Sequence, residues 1–262
     1  MNILDKIIAQ KQIEVAHRKA QTSIQELEKV KFFANKTLSL QKFLLDETKT
    51  GIIAEYKRQS PSKGIINNHS TIEEVTTAYT QFGASGISVL TDEQFFGGNL
   101  NDLLAATINE VPLLRKDFMI DEYQIIEAKA FGAAAILLIA ACLTKQQVKQ
   151  MATFAKSLGL EVLLEIHNEA ELDHICDEVD LVGVNNRNLK TFDVSIETSL
   201  QLIQQMPTNK LAIAESGISK VETILTLRQD GFKGFLIGEN FMKEQNPALA
   251  FKDFVDELKT KI

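Results

Sequence analysis

From Gly51 onward the chain repeats one unit eight times: a short apolar run, a few polar or glycine positions, then an amphipathic stretch. The apolar runs are 52–57, 86–91, 111–117, 134–140, 161–165, 181–185, 211–215 and 234–237. Runs apolar on both faces suit a parallel sheet covered on both sides. Eight of them, each followed by a helix, fit a closed (β/α)8 TIM barrel better than an open doubly wound sheet. Helical spacing places the helices near 71–82, 99–109, 121–131, 145–158, 168–177, 196–205, 219–229 and 247–259, with Ser70, Asp121 and Ser219 as N-caps. No Gly-x-Gly-x-x-Gly follows a strand, so the dinucleotide-binding fingerprint is missing.

Residues 1 to about 47 read as a helical extension. Ile3, Leu4, Ile7 and Ile8 recur at helical spacing, and Ile24, Leu27 and Val30 repeat the pattern after Thr22-Ser23. Such a helix covers an open barrel end or meets a partner. The expected organisation is one α/β domain over 1–262, with the extension at 1–47 and the barrel at 48–262, a size ordinary for such barrels. A net charge of −7 argues against general nucleic-acid binding but permits a local positive pocket for a small anion. Two cysteines are too few for a disulfide framework, so a cytoplasmic compartment is expected, with Cys142 and Cys176 as buried thiols. Residues 1–10 lack the core of a signal peptide, and the apolar run 130–143 is too short to span a bilayer.

Active sites of these barrels lie at the C-terminal ends of the strands. The first strand ends in Glu55 and Lys57, two apart and hence on one face, and runs into a Ser60-Pro61-Ser62-Lys63-Gly64 turn. The third ends in Arg115-Lys116-Asp117-Phe118, the fifth in Glu165-Ile166-His167, the sixth in Asn185-Asn186-Arg187-Asn188, the seventh in Glu215-Ser216-Gly217 and the eighth in Gly238-Glu239-Asn240. Together they bring two lysines, an arginine, several carboxylates and two glycine turns to one rim. Ser216-Gly217 and Gly238-Glu239 follow strands seven and eight, where this architecture commonly holds a phosphate; each pair could also simply make a tight turn.

Lys116 follows apolar residues. Among apolar walls and other cations it would lose proton affinity and act as a general acid, or as a Schiff-base nucleophile; otherwise it is a structural ion pair. Glu165 is a general acid/base with raised pKa, the partner of a lysine, or both. Arg187 suits bidentate capture of a carboxylate, and Phe118 offers an apolar wall. His17, His69, His167 and His174 show no ligand spacing, so no metal is expected, and His167 is assigned to the surface.

Taken together, Glu55-x-Lys57-Arg58-x-Ser60-Pro61-Ser62-Lys63-Gly64, Leu114-Arg115-Lys116-Asp117-Phe118, Leu164-Glu165-x-His167, Gly183-x-Asn185-Asn186-Arg187-Asn188-Leu189 and Ala214-Glu215-Ser216-Gly217-Ile218 resemble the indole-3-glycerol-phosphate synthase family. The resemblance covers almost the whole chain, extension included. It implies a carbon–carbon lyase of tryptophan biosynthesis that closes the indole ring of 1-(2-carboxyphenylamino)-1-deoxyribulose 5-phosphate with loss of CO2 and water. It implies Lys116 as the acid on the ketone oxygen, Lys57 against the substrate carboxylate or as a further acid, Glu165 in the later proton transfers and Glu55 as their orienter. Ser60, Asn185 and Arg187 would bind substrate, Phe118 would line the aryl pocket, and Ser216, Gly217, Gly238 and Glu239 would hold the phosphate. No cofactor is expected, because the iminium formed on closure draws electrons from the departing carboxylate. The expected partner is a small phosphorylated molecule, not nucleic acid or membrane, and the chain would act as a monomer or weak homo-oligomer. A Schiff-base aldolase and an inactive phosphosugar-binding barrel are the alternatives.

Overall fold

The computed structural model describes residues 3–188 and 191–261. Met1 and Asn2 of the first helical stretch, Leu189 of the sixth-strand motif, Lys190 and Ile262 lie outside the described residues. Eight strands, all parallel, close into a barrel. They are β1 (Ile52–Tyr56), β2 (Gly86–Leu90), β3 (Leu113–Lys116), β4 (Ala135–Ile139), β5 (Glu161–Ile166), β6 (Leu181–Asn185), β7 (Leu211–Glu215) and β8 (Gly234–Ile237). Each pairs with its sequence neighbours, and β1 closes the ring between β8 and β2.

Alternation along the strands divides the core in two. Ile53, Leu114, Leu137, Leu163, Leu181, Ile213 and Leu236 fill the barrel interior. Ile52, Ala54, Ile136, Val162, Val182 and Phe235 point outward under the helices. One step toward the C-terminal end from the inner apolar layer, the same inward face carries Glu55, Lys116, Glu165 and Glu215. The rule that buries the core therefore also aims the charges.

The extension comprises α1 (Ile3–Gln21), α2 (Ile24–Glu28), a 3-10 turn at Lys31–Ala34 and α3 (Leu40–Leu44). Ser23 caps α2 in a reciprocal box with Glu26, but only Leu27 of the Ile24/Leu27/Val30 pattern is buried. The extension serves both ends of the barrel. Ile3, Leu4 and Ile7 of α1 line the cavity at the C-terminal mouth. Leu40 and Leu44 of α3 pack against Gly86 and Gly234, at the opposite end where β2 and β8 begin.

The outer helices are α4 (Ile72–Gln81), α5 (Glu93–Phe96), α6 (Leu100–Ala106), α7 (Glu122–Ala130), α8 (Lys145–Ser157), α9 (Glu197–Leu202), α10 (Val221–Gln229), α11 (Glu239–Met242) and α12 (Pro247–Lys261). Three expectations need correction. The 168–177 segment is a 3-10 turn, Glu169–His174, and not an α-helix. The cap of α4 is Thr71, boxed with Glu74, because Ser70 is tied down by its N–H on Asn67 Oδ1 and its carbonyl under the Tyr56 hydroxyl. Helix α10 starts after Lys220 with no side-chain cap, so Ser219 does not serve.

Candidate active site

Register brings four ionisable groups from four strands to one point. Lys116 Nζ lies 2.9 Å from Glu215, 3.5 Å from Glu165 and 3.9 Å from Glu55. Lys57, just past the end of β1, returns to Glu55 at 2.8 Å, as their shared face requires. Glycine makes room for this crowd. A Cβ on Gly183 would come 2.2 Å from Glu215 Oε1, and one on Gly238 would come 2.8 Å from the Cβ of Glu55.

Two ammonium groups thus face three buried carboxyls, and the carboxyls are unequally served. Burial opposes the charge on Glu55, but Lys57 and Lys116 outweigh it and hold its pKa below the usual range. Burial likewise opposes ionisation of Glu165, yet Lys116, His167 and Asn185 together hold it well below that range. Among the described residues Glu215 has Lys116 alone, and its Oε1 is buried without a hydrogen-bond partner. Burial, reinforced by Glu165 and Glu55, pushes Glu215 up to about 7. The carboxyl with the raised pKa is therefore Glu215 and not Glu165, which lies within ion-pair reach of Lys116 at 3.5 Å.

Lys116 also departs from expectation. Its neighbours are carboxylates and not cations, and they outweigh burial, so its ammonium is held above the ordinary lysine range. Arg115 is fully buried and points away from the mouth, toward Thr91, Asp117 and Glu127. His167 is not a surface group: its side chain is 9% exposed and stands between Glu165 and Glu171. Cys142 and Cys176 are half-buried; burial, with Glu165 and Glu171 nearby, pushes the Cys142 thiol up to about 12.

Above the charged floor the mouth has two contrasting sides. One is apolar, walled by Phe118, Phe96, Leu137, Ile139 and the α1 residues Ile3, Leu4 and Ile7, and encloses about 160 Å³. The Phe96 and Phe118 rings lie 6.0 Å apart. Ser60, Asn185 and Arg187 line the same cavity. It opens toward a second cavity of about 380 Å³ bounded by Lys63, Arg187, Lys243, Ser216, Gly217, Gly238 and Glu239. Ser216 and Gly217 both adopt positive φ, 66° and 74°, a left-handed pair that turns the backbone sharply at the end of β7. The Glu239 carboxylate lies 3.3 Å from Arg187 Nη2 and 3.9 Å from Lys63.

All twelve residues singled out in the sequence line these two adjoining cavities. Sequence reasoning placed Glu215 at a strand end but gave it no role, and it did not single out the α1 roof or Lys11. Glu215 had a signal, since it ends its strand two residues after inward-facing Ile213. Lys11 had none: it is fully buried within 2.9 Å of Asp92 and Asp117, residues of distant segments.

Known proteins resemble this chain over nearly its whole length. The family model described as indole-3-glycerol phosphate synthase matches residues 4–254. An indole-3-glycerol phosphate synthase of Bacteroides thetaiotaomicron is 46% identical over 255 residues, covering 97% of this chain and 98% of the relative. One from Polynucleobacter asymbioticus is 42% identical, covering 96% and 98%. Among solved structures, the 3-hexulose-6-phosphate synthase of Salmonella typhimurium superimposes with a TM-score of 0.62 at 12% identity, covering 80% of this chain and 99% of its own. A tryptophan synthase α-subunit of Pyrococcus furiosus gives 0.61 at 15%, covering 81% and 99%. At such identities these structures speak for the shared barrel alone. The chain belongs to the indole-3-glycerol phosphate synthase family.

Proposed function

We propose that the barrel mouth closes the indole ring of 1-(2-carboxyphenylamino)-1-deoxyribulose 5-phosphate by general acid–base catalysis, with Lys116 as the acid on the ketone oxygen. The observation that carries this reading is the Lys116 ammonium held by three carboxyls on the floor of a cavity with one apolar and one cationic side. The apolar side, with Phe118, suits the aryl ring. Lys63, Arg187 and the backbone around Ser216, Gly217 and Gly238 suit the phosphate. Because Glu239 already holds the Arg187 guanidinium, an incoming anion takes that arginine by exchange.

The chemistry follows from these groups. As the ring carbon bearing the carboxylate attacks the ketone carbon, its oxygen becomes an alkoxide and takes a proton from Lys116. The iminium so formed accepts the electron pair left by departing CO2, and an apolar pocket favours that loss of charge. Departure of water then needs a second proton on the hydroxyl, and aromatisation returns one from the adjacent carbon. Each turnover therefore takes up one proton. Lys57 and Glu215 are within the cluster that can deliver it: Lys57 sits on Glu55, and Glu215 holds a proton near neutral pH against Lys116. Ser60 and Asn185 complete the substrate contacts, and Glu165 and Glu55 stabilise the lysine charge.

Replacing Lys116 tests this. In Lys116→Ala, kcat for the fluorescent indole product should fall about 10²–10⁴-fold with KM little changed. A near-normal rate removes the assignment. Borohydride with substrate should leave no lysine adduct; a covalent adduct would favour the Schiff-base alternative.

A further inference from the structure

His167 lies two residues beyond Glu165, on the same inward face. Its Nε2 stands 3.1 Å from Glu165 Oε1, within ion-pair reach but out of line for a hydrogen bond, and its Nδ1 makes a 3.2 Å hydrogen bond with Glu171 Oε2. Glu171 is itself fixed. It accepts the backbone N–H of His167 at 2.8 Å and the Asn168 side-chain amide at 2.8 Å. A neutral imidazole has one N–H and would turn a lone pair toward one of these carboxylates. Only the imidazolium is attracted to both, through a hydrogen bond to Glu171 and an ion pair with Glu165. Of the other charged or titratable groups on the surrounding elements, Asp5 on α1 and Arg187 and Asp193 after β6 line the same cavity as the ring, Cys142 after β4 lies close enough to feel Glu165 and Glu171, and Lys116 lies beyond Glu165. Burial opposes the ring's charge, but contact with Glu165 and Glu171 dominates and raises its pKa to about 10.

We propose that His167 is a positioning residue for ring closure: an imidazolium clamped between two carboxylates, which holds Glu165 ionised and directed at Lys116 and so leaves the exchangeable proton of the site on Glu215. This rests on the reading of Lys116 and Glu165 as working groups. The arrangement explains how adjacent buried carboxyls facing one lysine take different protonation states. Glu165 has a cation on each side, Lys116 at 3.5 Å and His167 at 3.1 Å, whereas Glu215 has only the lysine. Removing the imidazolium would bring the two carboxyls closer in proton affinity. Some of the proton would then move to Glu165, weakening its hold on Lys116 at the pH values where it is protonated.

The test uses the full chain and two variants, His167→Gln and Glu171→Gln, with kcat and KM for the indole product followed from pH 5 to 9. With His167→Gln the acid limb of kcat should move upward by at least one pH unit, lowering kcat at pH 6 about tenfold relative to its own value at pH 8.5. KM should stay within about twofold. Glu171→Gln should shift the limb the same way but less, and it covers the case in which His167→Gln does not fold. Nitrogen-15 NMR of the wild-type imidazoles, four in the chain, should show His167 doubly protonated at pH 8. A neutral His167 at pH 8, or variants whose pH profiles superimpose on the wild type while only stability drops, would overturn the proposal. If Lys116→Ala and Glu165→Gln both retain near-normal rates, the site assignment itself fails. If those two abolish turnover while the His167 and Glu171 variants keep the wild-type profile, only the role of His167 fails.

Discussion

Two residues show how far single side chains set this chemistry. Glu215 differs from Glu55 and Glu165 in its partners, not in its type: one lysine, one orphan oxygen and no second donor. Gly183 supplies the space for that oxygen, since an added Cβ would sit 2.2 Å from it. Gly183→Ala should therefore fold, because the atom displaced is the end of a side chain, yet kcat should drop about 100-fold as Glu215 is pushed off Lys116. Steady-state kinetics beside a thermal melt checks this, and a kcat within twofold of wild type would contradict it. The lysines and carboxylates were legible in the sequence because strand alternation alone puts Glu55 with Lys57 and aims each strand's last charged residue at the mouth; the pairing of His167 with Glu165 was not, since His167 was assigned to the surface. Nor were the protonation states legible. Those depend on how many partners each carboxyl finds across the barrel, and those partners come from segments far apart in sequence.

Among elements, the extension does more than cover one end. Helix α1 is fastened by Lys11, whose ammonium reaches the buried Asp92 at 2.9 Å and Asp117 at 2.8 Å and the half-buried Glu14 at 2.8 Å. Burial opposes each charge here, but the acids outweigh it at Lys11, and Lys11 with Arg115 outweighs it at Asp117, whose carboxyl is held well below its usual range. Asp117 follows Lys116 directly, and Ile7 lies one helical turn from Lys11, so this clamp sets both the catalytic strand end and the apolar roof. Lys11→Met should cost about 3–5 kcal/mol in urea unfolding, since it takes the Lys11 cation from buried Asp92 and leaves buried Asp117 with Arg115. KM should rise as the roof loosens. Unchanged stability and KM would contradict the clamp. The helical character of 1–47 was legible from its apolar spacing, and so was the possibility of covering a barrel end. That it spans both ends was not, because Leu40 and Leu44 resemble any apolar pair until the strand starts at Gly86 and Gly234 are placed beneath them.

For the whole molecule, eight apolar runs were enough to anticipate a closed barrel, and the strand boundaries differ from expectation by at most two residues because apolar content falls away sharply at each end. The charged mouth then ties folding to pH. Asp117, Glu165 and Glu55 have pKa values lowered on folding. Their stabilisation is present above the ordinary carboxylate range and is lost as pH falls through the folded values. Glu215 and His167 have raised values, about 7 and about 10. Their contributions are complete below the unfolded values, about 4.3 for a glutamate and about 6.5 for a histidine, and are lost as pH rises through the folded ones. Stability should therefore peak in mildly acidic solution and decline toward alkaline pH, Glu215 accounting for the first part of the fall. The central claim is that the cations are unequally shared among three buried carboxyls, so that Glu215 keeps a proton beside Lys116. The most direct measurement is a carboxyl-carbon NMR titration of the full chain and of Glu215→Gln, with urea unfolding at each pH. We predict a carboxyl titrating near pH 7 that disappears in the variant, together with a loss of stability between about pH 4.5 and 7 in the wild type alone. Buried carboxyls that all titrate in the ordinary range or below, with parallel stability curves for the two proteins, would contradict it.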